Sequence, residues 1–310
     1  MNMRCFDLLY NRKYFDIFLD YFNRVYNQRE KRYEQLIKRY RNSTGQFAGL
    51  ISDRTHIDDV YNSLGKEFNM AMRGAKLVSF GEFWTSIQAH KQTIVALTNY
   101  KMDGINPDAI PQPILVDLKQ LFDGLEVVPP NQKRKLVAVS KTLHFLLPDL
   151  VMPVDNAGVL RTLEKGEVPE DAGKQYDLFI EVLKEYLDLT VKLGLKQSNS
   201  DGKWWNISVP KRIDNAIAGL WKIFSERHMK YLICNHTDML LNYLEGQLTS
   251  DSGTCKVKQE DIETWVKANP FEAAKGMKEI GWNRITTYNR MKKAGLASDE
   301  IDRILNKVYN

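Results

Sequence analysis

Apolar residues along this chain recur mainly every three or four positions, the spacing that places them on one face of an α-helix. In the segment 5–42 such a stripe runs from Phe15 to Tyr26. Only Trp204–Val209 has a composition typical of a short β-strand. The pattern therefore predicts an all-α fold, or one that is nearly so. Further helices are predicted at 53–72, 80–100, 114–122, 154–163, 176–193, 214–231 and, more weakly, 235–248.

The segment Thr249–Thr254, with the sequence TSDSGT, is the strongest candidate for a linker, because small and polar residues favour turns. It divides the chain into a helical core at 1–248, which begins with a basic helix at 1–42, and a small helical unit at 256–310. A chain of 310 residues is long enough to bury a full core in two or three domains or subdomains.

The most unusual stretch is the mostly apolar segment 137–156, which nevertheless contains Lys141, His144 and Asp155. Its composition predicts burial, and ionisable groups that persist in a buried segment are typical of a site of chemistry. Asp155 comes two residues after Pro153 and is expected in the first turn of a helix, where a carboxylate is favoured by the helix dipole.

The net charge of +5 is modest, but the basic residues cluster at 24–41 and at 275–293. Two separated basic faces suit a polyanion better than a small acidic substrate. A solvated helix face remains the alternative for each of them. Charge therefore favours a nucleic-acid partner without selecting one site.

No apolar run approaches the ~20 residues that span a bilayer, and no secretory signal is visible, so we expect a cytoplasmic protein without a membrane partner. The cysteines at positions 5, 234 and 255 are odd in number and far apart, which argues for a reducing compartment. Cys234 and His236 are close, but two ligands do not make a zinc site. We expect no metal and no cofactor, and a monomer.

The segments Val137–Leu143 (VAVSKTL) and Pro153–Asp155 (PVD) resemble two motifs of the helix-hairpin-helix base-excision DNA glycosylases, the superfamily around endonuclease III. That family has a Gly-x-Gly-x-Lys-Thr-Ala hairpin and a later Val-Asp. The resemblance covers roughly 129–163. Both hairpin glycines are absent here, and the separation of 14 residues between Lys141 and Asp155 is shorter than is usual in the family. The four cysteines of an iron–sulfur cluster are also absent.

The resemblance implies a two-lobed core and excision of a damaged or modified base that is flipped out of double-stranded DNA. Asp155 would be the catalytic carboxylate, and Lys141 a Schiff-base nucleophile if the enzyme also cleaves the strand. The turn of the hairpin is expected near Ala138–Ser140. Defence against phages with modified DNA is one setting for such an enzyme, by analogy. The alternative is a non-catalytic DNA-binding regulator, in which Asp155 only caps a helix; a protein-interaction scaffold is a third interpretation.

The segment Gly281–Leu296 resembles a helix-turn-helix of the Fis type, whose second helix would enter the major groove. Residues expected to bind the base or the sugar are His144, Asn156, Trp84, Trp204 and Trp205. Residues expected to contact DNA are Lys133, Arg134, Lys135, Ser140, Thr142, Lys211, Arg212, Asn283, Arg284, Thr287 and Arg290.

Overall fold

The computed structural model describes residues 5–25, 31–66, 76–197, 208–223, 259–279 and 283–309. Every regular element within these ranges is a helix, which confirms the predicted all-α fold. The predicted strand falls largely outside the described residues, and its last residue, Val209, opens a helix. The predicted linker and the helix predicted at 235–248 also lie outside them. No helix in the described part of the chain combines the length and apolar character needed to cross a bilayer.

The chain divides into two compact units, one formed by residues 9–218 and the other by residues 1–8 and 219–310. In chain order the elements are a 3-10 helix at Cys5–Tyr10, α1 at Arg12–Val25, α2 at Lys31–Asn42, α3 at Phe47–Ile51, α4 at Arg54–Lys66, α5 at Phe80–Ala89, α6 at Lys91–Leu97, a 3-10 turn at Met102–Gly104, α7 at Gln112–Gly124, α8 at Leu136–Leu146, a π-helical turn at Asn156–Leu160, α9 at Ala172–Lys192, α10 at Val209–Ile223, α11 at Gln259–Ala268, α12 at Pro270–Glu279, α13 at Arg284–Lys293 and α14 at Ser298–Tyr309.

The core of the larger unit is built around α8 and α9. Residues 138–154 are all buried, and α9 contributes the fully buried Phe179 and Tyr186. Helix α9 packs against both α7 and α8, and Phe122 of α7 lies 5.6 Å from Phe179 between ring centroids. Each large apolar side chain that is fully buried contributes about 1.5–3 kcal/mol. The segment that the sequence marked as unusual is thus the interior of the unit.

Two predicted helices are interrupted in the structure. The predicted helix 5–42 begins with a 3-10 helix and continues as α1 only from Arg12. The predicted helix 80–100 breaks at His90, which separates α5 from α6. The ring of His90 lies so close to Gly124 that a Cβ added there would come within 2.5 Å of it. A side chain at position 124 would therefore force the His90 ring or the end of α7 to shift.

A buried ion pair joins α2 to the segment that follows α8. The Arg41 guanidinium donates to both carboxylate oxygens of Asp149, at 2.6 and 2.5 Å, and Asp149 is only 4% exposed. The other cations of the second half of α2 are also paired, since Arg39 meets Asp59 at 2.5 Å and Lys38 meets an acid on its own helix. This part of the predicted basic helix therefore binds carboxylates of its own chain.

Helices α11 to α14 form the core of the second unit. Helix α14 packs against both α12 and α13. Asn283 starts α13, because its side chain accepts a hydrogen bond from the Thr286 backbone N–H at 2.8 Å. The described residues buried among these helices are the polar Thr287 and the apolar Val266, Ala273, Ala274, Met277, Met291, Ala294, Leu296, Ile301, Leu305 and Val308.

Candidate active site

The expected hairpin is not a turn in the structure. Helix α8 begins at Leu136 and continues through Leu146, so the predicted turn near Ala138–Ser140 was wrong. The physical reason lies in the missing glycines. A tight turn that presents bare backbone to a phosphate needs residues without a side chain, whereas valine and alanine gain more by burial on a helix that packs in the core.

The two hydroxyl residues assigned to this hairpin are structural. Ser140 and Thr142 are fully buried. The Thr142 hydroxyl donates to the Ala138 carbonyl at 2.9 Å, and the Ser140 hydroxyl accepts from the Val154 N–H at 3.1 Å. A hydroxyl with no exposed surface cannot contact a phosphate, which corrects their predicted DNA-binding role. Ser140 instead holds the backbone directly before Asp155.

His144 also supports the backbone and does not face a ligand. Its Nδ1 lies 2.7 Å from the Val151 carbonyl oxygen, and its Nε2 lies 2.8 Å from the Tyr33 hydroxyl. Burial lowers the pKa of His144 to about 3, so the ring is neutral. A carbonyl can only accept, so Nδ1 carries the proton and Nε2 accepts from Tyr33. The predicted contact of His144 with a base or sugar is therefore replaced by a role in the core.

Lys141 lies in the middle of α8 and is only 8% exposed. The near-complete burial restricts its predicted role as a nucleophile, because a Schiff base requires the amine to reach the sugar carbon.

Asp155 begins the next element and is half-buried. Its Oδ1 accepts hydrogen bonds from the backbone N–H groups of Gly158 and Val159, at 2.5 and 3.1 Å. The Leu160 N–H then donates to the Asp155 carbonyl at 3.0 Å, which closes a π-helical turn. Such turns occur frequently at functional sites. Within the described part of the chain Oδ2 accepts no hydrogen bond, so the backbone holds only one of the two carboxylate oxygens. Asn156 beside it is exposed.

Behind Asp155 lies a buried polar cluster on α9 and α10. Burial, followed by the charges of Asp214 and Asp155, raises the pKa of the fully buried Tyr186. Asp214 is paired with Lys211 at 2.8 Å, and the Lys211 amine lies 5.3 Å from the ring centroid of Tyr33. Lys211 is 4% exposed, so its predicted contact with a phosphate is corrected to an internal ion pair. The cluster connects the Asp155 region to α2.

The remaining predicted phosphate ligands of this unit lie at or near the surface, but they have protein partners. Lys133 pairs with Glu170 at 2.9 Å, and Arg134 pairs with Glu167 at 3.1 Å. Both pairs are exposed, and such pairs contribute only about 0–1 kcal/mol, so either cation can exchange its carboxylate for a phosphate. The half-buried Lys135 donates to the carbonyl of residue 123 at 3.1 Å.

The remaining predicted ligands of this part of the chain are Arg212 and the three tryptophans. The half-buried Arg212 donates to the carbonyl of residue 196 at 3.0 Å. Trp84 is half-buried on α5, and the Arg54 guanidinium lies 5.7 Å from its ring centroid. Trp204 and Trp205 lie outside the described residues. The predicted base contacts of the three tryptophans therefore stay predictions.

In the second unit, the structure corrects the predicted DNA contact of Thr287. Thr287 is fully buried, and its hydroxyl lies 2.6 Å from the Tyr309 hydroxyl. Arg284 donates to Asn306 at 2.6 Å, and Arg290 is half-buried, while the exposed Asn283 acts as the cap of α13. The predicted outward face was thus partly wrong. The side chains that α13 exposes are Ile285, Thr286, Asn289, Lys292 and Lys293.

Two residues that support the site were missed from the sequence. Gly158 leaves room for the cap, because an added Cβ would lie 2.9 Å from the Asp155 Oδ1 and one of the two would have to shift; its position three residues after a capping aspartate was a usable signal. The fully buried Gln175 accepts hydrogen bonds from the Lys135 and Leu136 N–H groups and so caps α8 from α9. No local pattern marks it.

Comparison with protein-family models, with curated proteins and with solved structures finds no match to this chain.

Proposed function

We propose that this protein is a DNA glycosylase that excises a damaged or modified base from double-stranded DNA, with Asp155 as the catalytic carboxylate. The observation that carries the proposal is the position of that carboxylate. Oδ1 is held by two backbone N–H groups at the start of a π-helical turn, and Oδ2 accepts no hydrogen bond from the described residues. A fixed carboxylate with one available oxygen suits a reaction that develops positive charge next to it.

The chemistry follows from that geometry. Cleavage of the N-glycosidic bond sends its electron pair to the departing base and leaves positive charge on the sugar. Oδ2 stabilises this charge and orients a water molecule, whose oxygen bonds to C1′. The water gives one proton to the carboxylate, which passes it on to the departing base, so that the carboxylate is regenerated and an abasic site remains. The helix N-terminus at Asp155 favours the negative charge that this role needs.

We infer a hydrolytic enzyme without lyase activity, because the 8% exposure of Lys141 disfavours attack by its amine on the sugar. Borohydride treatment during turnover tests this inference. No covalent protein–DNA adduct is expected; an adduct that disappears in Lys141→Gln would assign Lys141 as the nucleophile.

The test of the main proposal compares two capping aspartates. Asp155→Asn should reduce base release from DNA that carries varied modified bases by about 10²–10⁴-fold, the range for a positioned acid–base group. The matched control is Asp171→Asn, because Asp171 caps α9 by accepting from the Lys174 N–H at 2.8 Å. The control should keep full activity. Equal activity of both variants, or DNA binding without abasic product on every substrate, would overturn the proposal.

The alternative is a non-catalytic DNA-binding regulator. The observation that favours it is the buried helix α8, which occupies the place where the hairpin was expected. This alternative predicts salt-dependent affinity for DNA, as phosphate contacts require, together with no release of base by the wild-type protein.

A further inference from the structure

The side chain of Arg54, at the start of α4, lies against two aromatic rings of α5. Its guanidinium carbon is 5.3 Å from the centroid of the Phe80 ring and 5.7 Å from that of the Trp84 ring. Phe80 and Trp84 are four positions apart, so the helix places them next to each other on one face. Arg54 is exposed, and both aromatic residues are half-buried. These three side chains form a surface patch of one cation on two rings, which we call the Arg54 patch.

The charge of Arg54 is not matched by a carboxylate of the described residues. Two other exposed arginines of the larger unit, Arg12 and Arg134, meet carboxylates at 2.8 and 3.1 Å. Arg54 forms no ion pair with any residue that the structure describes. The acid beside it in sequence serves the fold, because the Asp53 Oδ1 accepts a hydrogen bond from the Thr55 N–H at 2.9 Å. An exposed cation that the fold leaves in this state suits an anionic group from outside the chain.

The two rings prepare Arg54 for a carboxylate ligand. Contact with both rings restricts the rotamers of the arginine before any ligand binds, so less side-chain entropy is lost on binding. A guanidinium presents two parallel N–H donors to one carboxylate, a geometry that the ammonium group of lysine does not offer. Arginine and tryptophan are also among the residues that most often dominate the binding energy of protein interfaces. The composition of the Arg54 patch therefore fits a carboxylate with an apolar group beside it.

The charges near the patch favour a protein over a nucleic acid as its ligand. One further cation is close, since the Lys91 amine donates to the hydroxyl of Ser52, two residues before Arg54, at 2.6 Å. The exposed acids Asp53 and Glu82 are neighbours of the patch residues in sequence. A phosphate chain is bound by several cations, and carboxylates among them repel it. A single acidic side chain needs only one guanidinium, so this mixture of charges suits a protein segment.

We propose that the Arg54 patch binds an acidic segment of a partner protein, in which an aspartate or glutamate lies next to an apolar side chain. The carboxylate of the partner accepts hydrogen bonds from the Arg54 guanidinium. The apolar side chain packs on the rings of Phe80 and Trp84. Trp84 then contacts a protein partner and not a flipped base. The proposal goes beyond base excision, because it assigns a protein partner to a surface formed by α4 and α5.

The test begins with selection from a displayed library of random peptides on the full-length protein. The selected peptides should share an acidic residue next to an apolar one, and the most enriched peptide is then made with a fluorescent label. Its affinity is measured by anisotropy. Arg54→Gln should weaken binding by about 30-fold, the size of a hot-spot contribution. Arg54→Lys should also weaken it, because lysine keeps the charge but not the paired donors. The control Arg12→Gln, with the same change in net charge, should bind as the wild type does.

Three results would overturn the proposal. The first is a selection that yields no acidic motif, and the second is equal affinity of Arg54→Gln and Arg12→Gln for the peptide. The third is displacement of the peptide by single-stranded DNA whose own binding is lost in Arg54→Gln, which would assign the patch to a nucleic acid. Asp155→Asn should bind the peptide as the wild type does, so the glycosylase proposal and this one are tested separately. Because Arg54 is exposed, its variants should keep the circular dichroism spectrum of the wild type.

Discussion

The substitution Gly158→Ala tests whether the position of the Asp155 carboxylate matters for activity, because it leaves the carboxylate itself in the protein. A Cβ at position 158 would lie 2.9 Å from the Asp155 Oδ1 and 3.5 Å from Oδ2. The first distance is shorter than real Cβ atoms show, so either the carboxylate or the π-helical turn must move. The carboxylate itself stays in the protein, and only its position changes.

Two contributions to the free energy of unfolding oppose each other in this variant. Loss of the cap costs about 0.5–2 kcal/mol. Alanine in place of a helical glycine contributes about 0.4–1 kcal/mol in the opposite direction, chiefly because the unfolded chain has fewer conformations. The net loss of stability should therefore not exceed about 1.6 kcal/mol. Base release should fall further, by about 10²-fold, since a displacement near 1 Å has an effect of that size on an oriented reaction.

The assay combines urea unfolding, followed by circular dichroism, with single-turnover release of base. Gly49→Ala is the matched control, because Gly49 lies in helix α3 with nothing within 4 Å of an added Cβ. The control should be slightly more stable than the wild type and fully active. Wild-type base release by Gly158→Ala would refute the argument that the position of Asp155 matters, and so would an equal loss of activity in the control.

Three further predictions concern stability. Arg41→Ala should lower the free energy of unfolding by about 3–5 kcal/mol in urea titrations, because it leaves the Asp149 carboxylate buried without its partner; a loss below about 1 kcal/mol would contradict this. Gly124→Ala should cost about 1–3 kcal/mol by the same measurement, since the new methyl group would come within 2.5 Å of His90. Burial lowers the pKa of His56 from 6.5 to about 4, so the unfolded chain binds a proton that the folded chain does not as the pH falls between these values. Stability should then fall by about 1.4 kcal/mol per pH unit from this residue, and His56→Leu should remove that part of the pH dependence.

The helices were predictable because their signal is local. The stripe Phe15, Phe18, Leu19 and Phe22 is buried on α1, as its spacing predicted. The spacing of apolar residues alone indicates which side of a helix packs in the core, without knowledge of the residues that it packs against. The same holds for α9, whose predicted start at 176 lies only a few residues after the observed one at Ala172.

The interruptions and orientations were not predictable, because they depend on residues distant in sequence. At the break, the His90 ring closely approaches Gly124, a residue distant in sequence. On α13 the polar Thr287 was expected to face outward, yet its hydroxyl meets Tyr309 of α14 inside the unit, while the apolar Ile285 is exposed. A polar side chain can be buried when another helix supplies its hydrogen-bond partner. The amino-acid sequence alone does not show that Tyr309 is the partner of Thr287.

The sequence favours the polar residues of the segment 137–156 as candidates for chemistry. In the structure, most of them support the backbone instead. Ser140 holds the Val154 N–H, and His144 holds the Val151 carbonyl. Asp149, through its own carbonyl and its pair with Arg41, anchors the start of the same irregular stretch.

A buried polar group is costly unless it is hydrogen-bonded, and an irregular buried backbone needs partners that apolar side chains cannot supply. These residues are therefore required by the unwound backbone that leads to Asp155. Ionisable groups in an apolar run thus report mainly the side chains that support the backbone around Asp155. Of the ionisable residues in that run, Asp155 alone keeps a half-buried carboxylate with one oxygen that accepts no hydrogen bond from the described residues, and for that reason we propose it as the catalytic group.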